Sequence, residues 1–170
     1  MANRFFNQFG GTLERKVIKL FAKILYTGGA PQLVTTAVLN SGTSPVTINE
    51  SQGIESLVQL GGIPGSFQLV LGNNNGGVPE YDTYVRLLNV SFSTVIPSGG
   101  FPTSVVAGMI VTNDNVNGAV GGVPTIDLAT VVNSPSAPPP PLAPTGISPG
   151  LPDDGTVLYV ELTLSNTTAY

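Results

Sequence analysis

The residues of this sequence that could perform acid–base chemistry are three pairs of carboxylates. The pairs are Glu80 with Asp82, Asp153 with Asp154 and, more widely spaced, Glu50 with Glu55. On a strand, Glu80 and Asp82 would share one face about 6 to 7 Å apart, which superficially suits a glycosidase. Such a site also needs aromatic side chains that stack on sugars and a pocket that raises the pKa of a carboxylate, and the chain has no Trp. The three pairs are therefore interpreted as solvated loop ends.

The chain contains no His and no Cys. Their absence removes the commonest general base, the commonest zinc ligand and every Ser-His or Cys-His catalytic arrangement. Asn113 to Gly118 imitates the start of a calcium-binding loop, but the position that requires a bidentate Glu is Pro124. The sequence therefore predicts no enzyme, no cofactor and no metal site.

The composition indicates one domain with a weakly charged surface. The 170 residues are enough to bury a sizeable core, but only 9% of them are charged. Such a surface suggests cover by copies of the same chain or by a larger assembly. The apolar stretches are too short for a membrane helix, which needs about 20 residues, so no membrane partner is expected.

Charge is distributed unevenly along the chain. Residues 1–23 contain five of the six basic residues and one of the ten acidic ones, a net charge of +4, whereas the remainder carries −8. This distribution favours docking through a basic arm. It argues against nucleic-acid binding by the acidic body, which would repel phosphate.

The first 14 residues are interpreted as an extended arm. Phe5, Phe6, Phe9 and Leu13 follow no clean period among Asn, Gln and Gly residues. A disordered tail is the alternative. However, burying each large apolar side chain is worth roughly 1.5 to 3 kcal/mol, so a segment without a core of its own should bury them on a partner.

Residues 15–170 are predicted to form a single all-β domain, a β-sandwich or a barrel-like fold. Residues 15–26 fit both a helix and a strand, and the strand is favoured because Gly28 and Gly29 end the segment. Alternation predicts that Arg86, Leu88, Val90 and Phe92 face the core, as do Leu158, Val160, Leu162 and Leu164. The predicted later strands are 32–39, 54–60, 66–71, 84–96, 104–112, 125–132 and 156–165.

Residues 134–152 contain eight prolines and are predicted to form a surface connector before the last strand. Proline cannot donate to a strand ladder, so no ladder is expected here. A polyproline II path of this length would reach about 50 Å, enough to cross the domain.

The N-terminal residues resemble a known family. Met1 to Phe9, Thr12 to Glu14 and Val17 to Lys23 are similar to the start of small tailed-bacteriophage virion proteins, usually placed on the head as decoration or cement proteins. Residues 53–57, 66–71 and 153–166 resemble the strand segments of that family more loosely. The Gly/Asn-rich segment 73–77 and the Pro-rich insertion depart from it.

The resemblance implies an oligomer, commonly a homotrimer, that sits on the major capsid protein outside the phage head and resists internal DNA pressure. Such a protein is made in the host cytoplasm and is then incorporated into the virion. The arm is expected to bind acidic capsid grooves through its cations and to anchor through its phenylalanines, and the strand-like stretch from Arg15 could add to a sheet edge. The expected capsid-binding residues are Arg4, Phe5, Phe6, Phe9, Arg15, Lys16, Lys19 and Lys23.

Two alternatives stay open. A tail, neck or baseplate component would use the same kind of small β module. A carbohydrate-binding module on the virion surface is suggested by Tyr81 and Tyr84 beside Glu80 and Asp82.

Overall fold

The computed structural model describes residues 17–41, 44–72, 86–99, 102–116, 124–133 and 147–165, and these residues form antiparallel β-sheets. The all-β prediction is confirmed, and none of the sheets in the described ranges closes into a barrel. The strands are β1 (Val17–Thr27), β2 (Ala30–Val34), β3 (Thr36–Ser41), β4 (Ser44–Asn49), β5 (Ile54–Gln59), β6 (Ser66–Leu71), β7 (Arg86–Val95), β8 (Val105–Asn115), β9 (Thr125–Asn133), β10 (Ile147–Pro149) and β11 (Val157–Ser165).

Two larger sheets and one hairpin make up the fold. The first sheet has the order β2-β1-β11-β7. In the second, β9 pairs along its whole length with β8, and its other edge pairs first with β6 and then with β10. Strand β5 completes this sheet beyond β6, and β3 and β4 form a separate hairpin. The architecture is therefore a β-sandwich with an additional hairpin.

The core lies between the two larger sheets. In β1 every second residue from Leu20 to Tyr26 is buried, and in β11 so is every second residue from Leu158 to Leu164. The two rows pair in register, with Leu20 opposite Leu162. The predicted alternation of β11 is confirmed, and β1 is a strand, as was favoured for this segment. The second sheet contributes Ile54, Phe67, Leu69, Leu71, Ile126 and Leu128.

The prediction for β7 is wrong at its first half. The register between β7 and β11 shifts between Thr163 and Leu164, so that Leu87 pairs with Leu164 and Leu88 has no partner in the ladder. This β-bulge turns Leu87 toward the core and leaves Leu88 48% exposed. The exposed Arg86 does not face the core either. Beyond the bulge Val90 packs on the core as predicted, whereas Phe92, which was also predicted to face the core, is 38% exposed.

The prediction that residues 134–152 form no strand ladder is wrong for β10. Ile147 to Pro149 pair with Val131 to Asn133 of β9. Proline is tolerated in this position because the N–H groups on the outer side of an edge strand do not donate hydrogen bonds to a neighbouring strand. Strand β4 was not predicted either, and the predicted strand 32–39 divides into β2 and β3.

Asp153 and Asp154 each accept hydrogen bonds that hold another loop segment in place. The interpretation of this pair as solvated loop ends was therefore incomplete. The Asp154 carboxylate accepts hydrogen bonds from the N–H groups of Gly28 and Gly29, each at 3.0 Å. Both glycines have positive φ angles, 61° and 72°, as a two-residue type I′ hairpin requires. The neighbouring Asp153 accepts bonds from the Thr103 N–H at 2.6 Å, the Thr103 hydroxyl at 2.5 Å and the Ser104 N–H at 3.1 Å.

We expect Asp153→Asn to lower the free energy of unfolding by about 1 to 2 kcal/mol at pH 7, because an amide has only one acceptor oxygen for these donors. Desolvation raises the pKa of Asp153, and the hydrogen bonds from Thr103 and Ser104 outweigh it, so the pKa lies below its ordinary value. The stabilisation is thus present above the unfolded pKa and is lost as the pH falls through the folded one. Urea unfolding at pH 7 and pH 3 should show the difference between variant and wild type shrinking in acid.

The control for this substitution is Glu55→Gln, which changes an exposed carboxylate of β5. A difference between Asp153→Asn and wild type that persists undiminished at pH 3 would contradict the role of the carboxylate.

Across the described segments, no helix has the length and hydropathy needed to cross a membrane.

Candidate functional site

Most of the residues predicted to bind the capsid lie outside the described ranges. The same is true of the tyrosines and carboxylates that suggested a carbohydrate-binding module. The capsid-binding residues concerned are Arg4, Phe5, Phe6, Phe9, Arg15 and Lys16, and the others are Glu80, Tyr81, Asp82 and Tyr84. What was expected of these residues stays a prediction.

Lys19 and Lys23 lie on the outward face of β1, and each forms an ion pair within the chain. Lys19 Nζ is 2.8 Å from Glu161 Oε1, and Lys23 Nζ is 3.1 Å from Glu50 Oε2. The Lys23 ammonium also lies 5.8 Å from the centroid of the Tyr159 ring, within the range of a cation–π interaction. A capsid carboxylate would have to compete with these partners for either lysine.

Two rows of side chains cross the outward face of the first sheet. Residues directly opposite one another in neighbouring strands point to the same face, so the pairing register identifies each row. The first row consists of Phe21, Glu161 and Ser91, and the second of Lys23, Tyr159 and Ser93. Two exposed aromatic rings, those of Phe21 and Tyr159, therefore lie diagonally across adjacent strands, with a carboxylate and hydroxyl groups beside them.

Residues 49–52, the last residue of β4 and the three residues after it, form a wall along one side of these rows. Phe21 and Gln52 exchange two backbone hydrogen bonds, N to O at 3.0 Å and 2.8 Å. The buried Ser51 hydroxyl accepts a bond from the Lys23 N–H at 2.9 Å and donates one to the Val34 carbonyl at 2.7 Å. Glu50, on the same wall, is joined to Lys23 by the ion pair. The wall is thus fixed to β1 and β2 by main-chain and side-chain bonds.

The rows and the wall together enclose an open cleft of about 550 Å³. We call it the outer cleft. Its lining combines the outward-facing rings of Phe21 and Tyr159 with carboxylates, two amides and hydroxyl groups, and it also includes Phe92. The residues that matter for its chemistry are Phe21, Glu50, Gln52, Ser91, Tyr159 and Glu161.

A second surface feature is apolar and lies at one side of the sandwich. Strands β7 and β8 contact each other there, and within the described part of the chain each has only one pairing partner, β11 and β9 respectively. Large apolar side chains between 38% and 55% exposed lie along these two strands, and we call this surface the β7–β8 edge. Its residues are Leu88, Phe92, Val95, Ile110 and Val111.

The β3–β4 hairpin also carries exposed apolar side chains. Val38, Leu39 and Val46 are each more than half exposed. Leu39 and Val46 lie directly opposite each other and share one face of the hairpin, whereas Val38 lies on the other face. A single exposed apolar residue is common in any protein, and an exposed cross-strand apolar pair adds to the apolar surface of the domain.

The sequence favoured a strand for residues 15–26, which include Lys19, Phe21 and Lys23, but it did not predict the outer cleft. The alternation of β11 did indicate part of the cleft, because residues between the core-facing leucines and valine, such as Tyr159 and Glu161, must point outward. The pairing register that brings these residues beside Phe21 was missing, because it joins strands from opposite ends of the chain.

The described residues contain no group of three or more His, Cys, Asp and Glu side chains placed to hold a metal ion. No protein-family model matches the chain, and neither a curated protein nor a solved structure matches it.

Proposed function

We propose that the protein is a structural component of a tailed-phage virion. It is a decoration protein that binds the major capsid protein on the outside of the head as a homo-oligomer, and we propose a homotrimer. It would be made in the host cytoplasm and act by cementing neighbouring capsid subunits. The observation that carries the proposal is the exposed apolar surface of the β7–β8 edge and the β3–β4 hairpin on a chain with 9% charged residues. The N-terminal resemblance supplies the class of partner.

The β7–β8 edge favours contacts between copies of the domain. Strand edges offer unpaired N–H and C=O groups, and proteins that stay monomeric usually protect them with charges, prolines or short strands. Strand β7 has ten residues, with Arg86 as its one charged residue. Apolar burial contributes about 25 cal/mol per Å², so covering these side chains with a neighbouring copy would stabilise an oligomer.

The N-terminal arm supports attachment to the capsid. It combines three phenylalanines with Arg4, and Arg15 and Lys16 stand between it and β1. We assign a smaller share of the binding to Lys19 and Lys23, because each would exchange one carboxylate for another. An exposed ion pair such as that of Lys19 contributes only about 0 to 1 kcal/mol, and the Lys23 side chain is only 20% exposed. The phenylalanines gain far more from burial on a partner.

Deleting residues 1–14 is expected to abolish binding to capsids and to leave the β-sandwich folded, because every core residue among those that the structure describes lies beyond Val17. Capsids that lack the protein are incubated with the full-length and the shortened chain and sedimented, and the bound protein is quantified. Circular dichroism and thermal unfolding confirm that the shortened chain is folded.

The matched control is Lys19→Gln in the full-length chain, for which capsid occupancy should fall less than tenfold. Equal occupancy of capsids by the full-length and the shortened chains would overturn the arm as the attachment device. The alternative of a tail, neck or baseplate position is distinguished by locating the protein on the native particle by cryo-electron microscopy.

A further inference from the structure

We infer that the outer cleft is a saccharide-binding site that takes neutral or N-acetylated hexose units. This inference goes beyond attachment to a capsid and does not depend on it, because the lining that the described residues provide lies on the outward face of β1, β11 and β7 and on the wall. It rests on three properties of the cleft: its aromatic floor, its fixed carboxylates and its balanced charge.

The aromatic floor provides surfaces on which sugar rings can stack. The residues Phe21 and Tyr159 are 41% and 39% exposed although they lie in the middle of a sheet. Leaving such large apolar rings in water is unfavourable, and their flat faces suit the C–H face of a pyranose. Because they lie diagonally across β1 and β11, they can contact one ring or two consecutive rings of an oligosaccharide.

The carboxylates of the cleft are positioned to accept hydrogen bonds from sugar hydroxyls. Glu161 lies between Phe21 and Ser91 in one row, and Glu50 stands on the wall. Each is held by a lysine, Glu161 by Lys19 and Glu50 by Lys23. Hydrogen bonds to ionised acceptors are stronger than neutral ones, and side chains that are already ordered lose less entropy when a ligand binds.

The charge of the cleft selects against other classes of ligand. Its two carboxylates are matched by the two lysines that hold them, so the site has no surplus of positive charge for a phosphate, a nucleic acid or an acidic sugar. An apolar peptide or a lipid would cover the carboxylates without hydrogen-bonding them, which is costly. A neutral ligand rich in hydroxyl groups satisfies both the rings and the carboxylates, and the cleft has the volume of an ordinary small-molecule site.

The test uses the full-length protein on an array of immobilised oligosaccharides that carry neutral hexoses, N-acetylhexosamines or uronic acids. We expect binding to the neutral or N-acetylated glycans and not to the uronic acids. For the strongest of these glycans, titration followed by NMR chemical shifts should move the backbone signals of Phe21, Tyr159 and Glu161. Tyr159→Ala should weaken binding at least tenfold, and Tyr159→Phe should weaken it less than threefold.

Two further variants show whether a loss of glycan binding comes from the cleft itself and not from misfolding. Glu161→Gln retains the shape of the side chain and should weaken binding about tenfold, whereas Val38→Ala, on the β3–β4 hairpin, should leave binding unchanged. Absence of binding to all neutral and N-acetylated glycans at millimolar concentration would overturn the inference. So would affinity that is unchanged in both Tyr159→Ala and Glu161→Gln, or binding confined to uronic acids.

Discussion

Replacing Gly65 with alanine is expected to lower the free energy of unfolding by about 3 to 5 kcal/mol, a large share of the stability of an ordinary domain. Two independent penalties add. Gly65 has a φ angle of +76°, which residues with a Cβ rarely adopt. A Cβ at this position would also collide with the Gly150 carbonyl oxygen and lie 2.6 Å from Thr130 Oγ1.

The neighbours of Gly65 cannot move aside easily. The Thr130 N–H donates to the Gly65 carbonyl at 3.1 Å, and the Gly150 N–H donates to the Thr130 carbonyl at 3.0 Å. The Thr130 hydroxyl in turn donates to the Gly150 carbonyl at 2.6 Å. Three backbone segments are thus tied together at the point where the new methyl group would have to fit, so the collision cannot be relieved by rotating a side chain.

The measurement is urea unfolding followed by circular dichroism, with Gly62→Ala as the matched control. Gly62 also has a positive φ angle, +99°, but a Cβ there meets no atom within 4 Å. The control therefore isolates the backbone penalty, which should cost about 1 to 3 kcal/mol. Equal losses in the two variants would show that the close approach of Gly65 to Gly150 contributes nothing.

The sequence was most informative where a strand is buried on one face and regular. Leu158 to Leu164 alternate without interruption, and the ends of the predicted strand 66–71 coincide with those of β6. Hydrophobic alternation along a strand indicates which of its faces is buried, so such strands can be predicted without knowing their partner strands. The end of the segment 15–26 at Gly28 and Gly29 was also predicted, and the structure shows these glycines in the turn between β1 and β2.

The errors arose where a strand depends on its neighbour. The bulge that leaves Leu88 exposed comes from a register shift against β11, and the sequence of β7 alone does not contain it. Pro149 looked incompatible with a ladder because the edge position of β10 was unknown. In both cases pairing between distant segments determined the local structure.

The same limit applies to the candidate site. Lys19 and Lys23 were assigned to a partner because five cations in the first 23 residues indicate a docking segment. Their carboxylate partners, Glu161 and Glu50, come close only when β11 and the wall pack beside β1. The outer cleft is a product of this pairing, so the sequence contained its residue types but not their arrangement.

Raising the pH from 8 to 11.5 is expected to destabilise the wild-type protein by about 2 kcal/mol more than Tyr26→Phe. Burial raises the pKa of the Tyr26 phenol to about 12, and the side chain of Thr130 acts in the opposite direction with a smaller effect. The phenol is thus kept neutral in the folded state, whereas in the unfolded chain it ionises near pH 10. Stability is full below pH 10 and is lost as the pH rises toward 12.

The Tyr26→Phe variant isolates this effect because every other tyrosine and lysine titrates in both proteins. By distance and angle the Tyr26 hydroxyl forms no hydrogen bond with the described residues, although the Thr130 side chain lies near enough to influence its pKa. Its removal should therefore leave stability at pH 8 unchanged or raise it by up to about 1 kcal/mol. Urea unfolding at the two pH values measures the difference, and a parallel loss of stability in both proteins would mean that Tyr26 ionises as readily when folded as when unfolded.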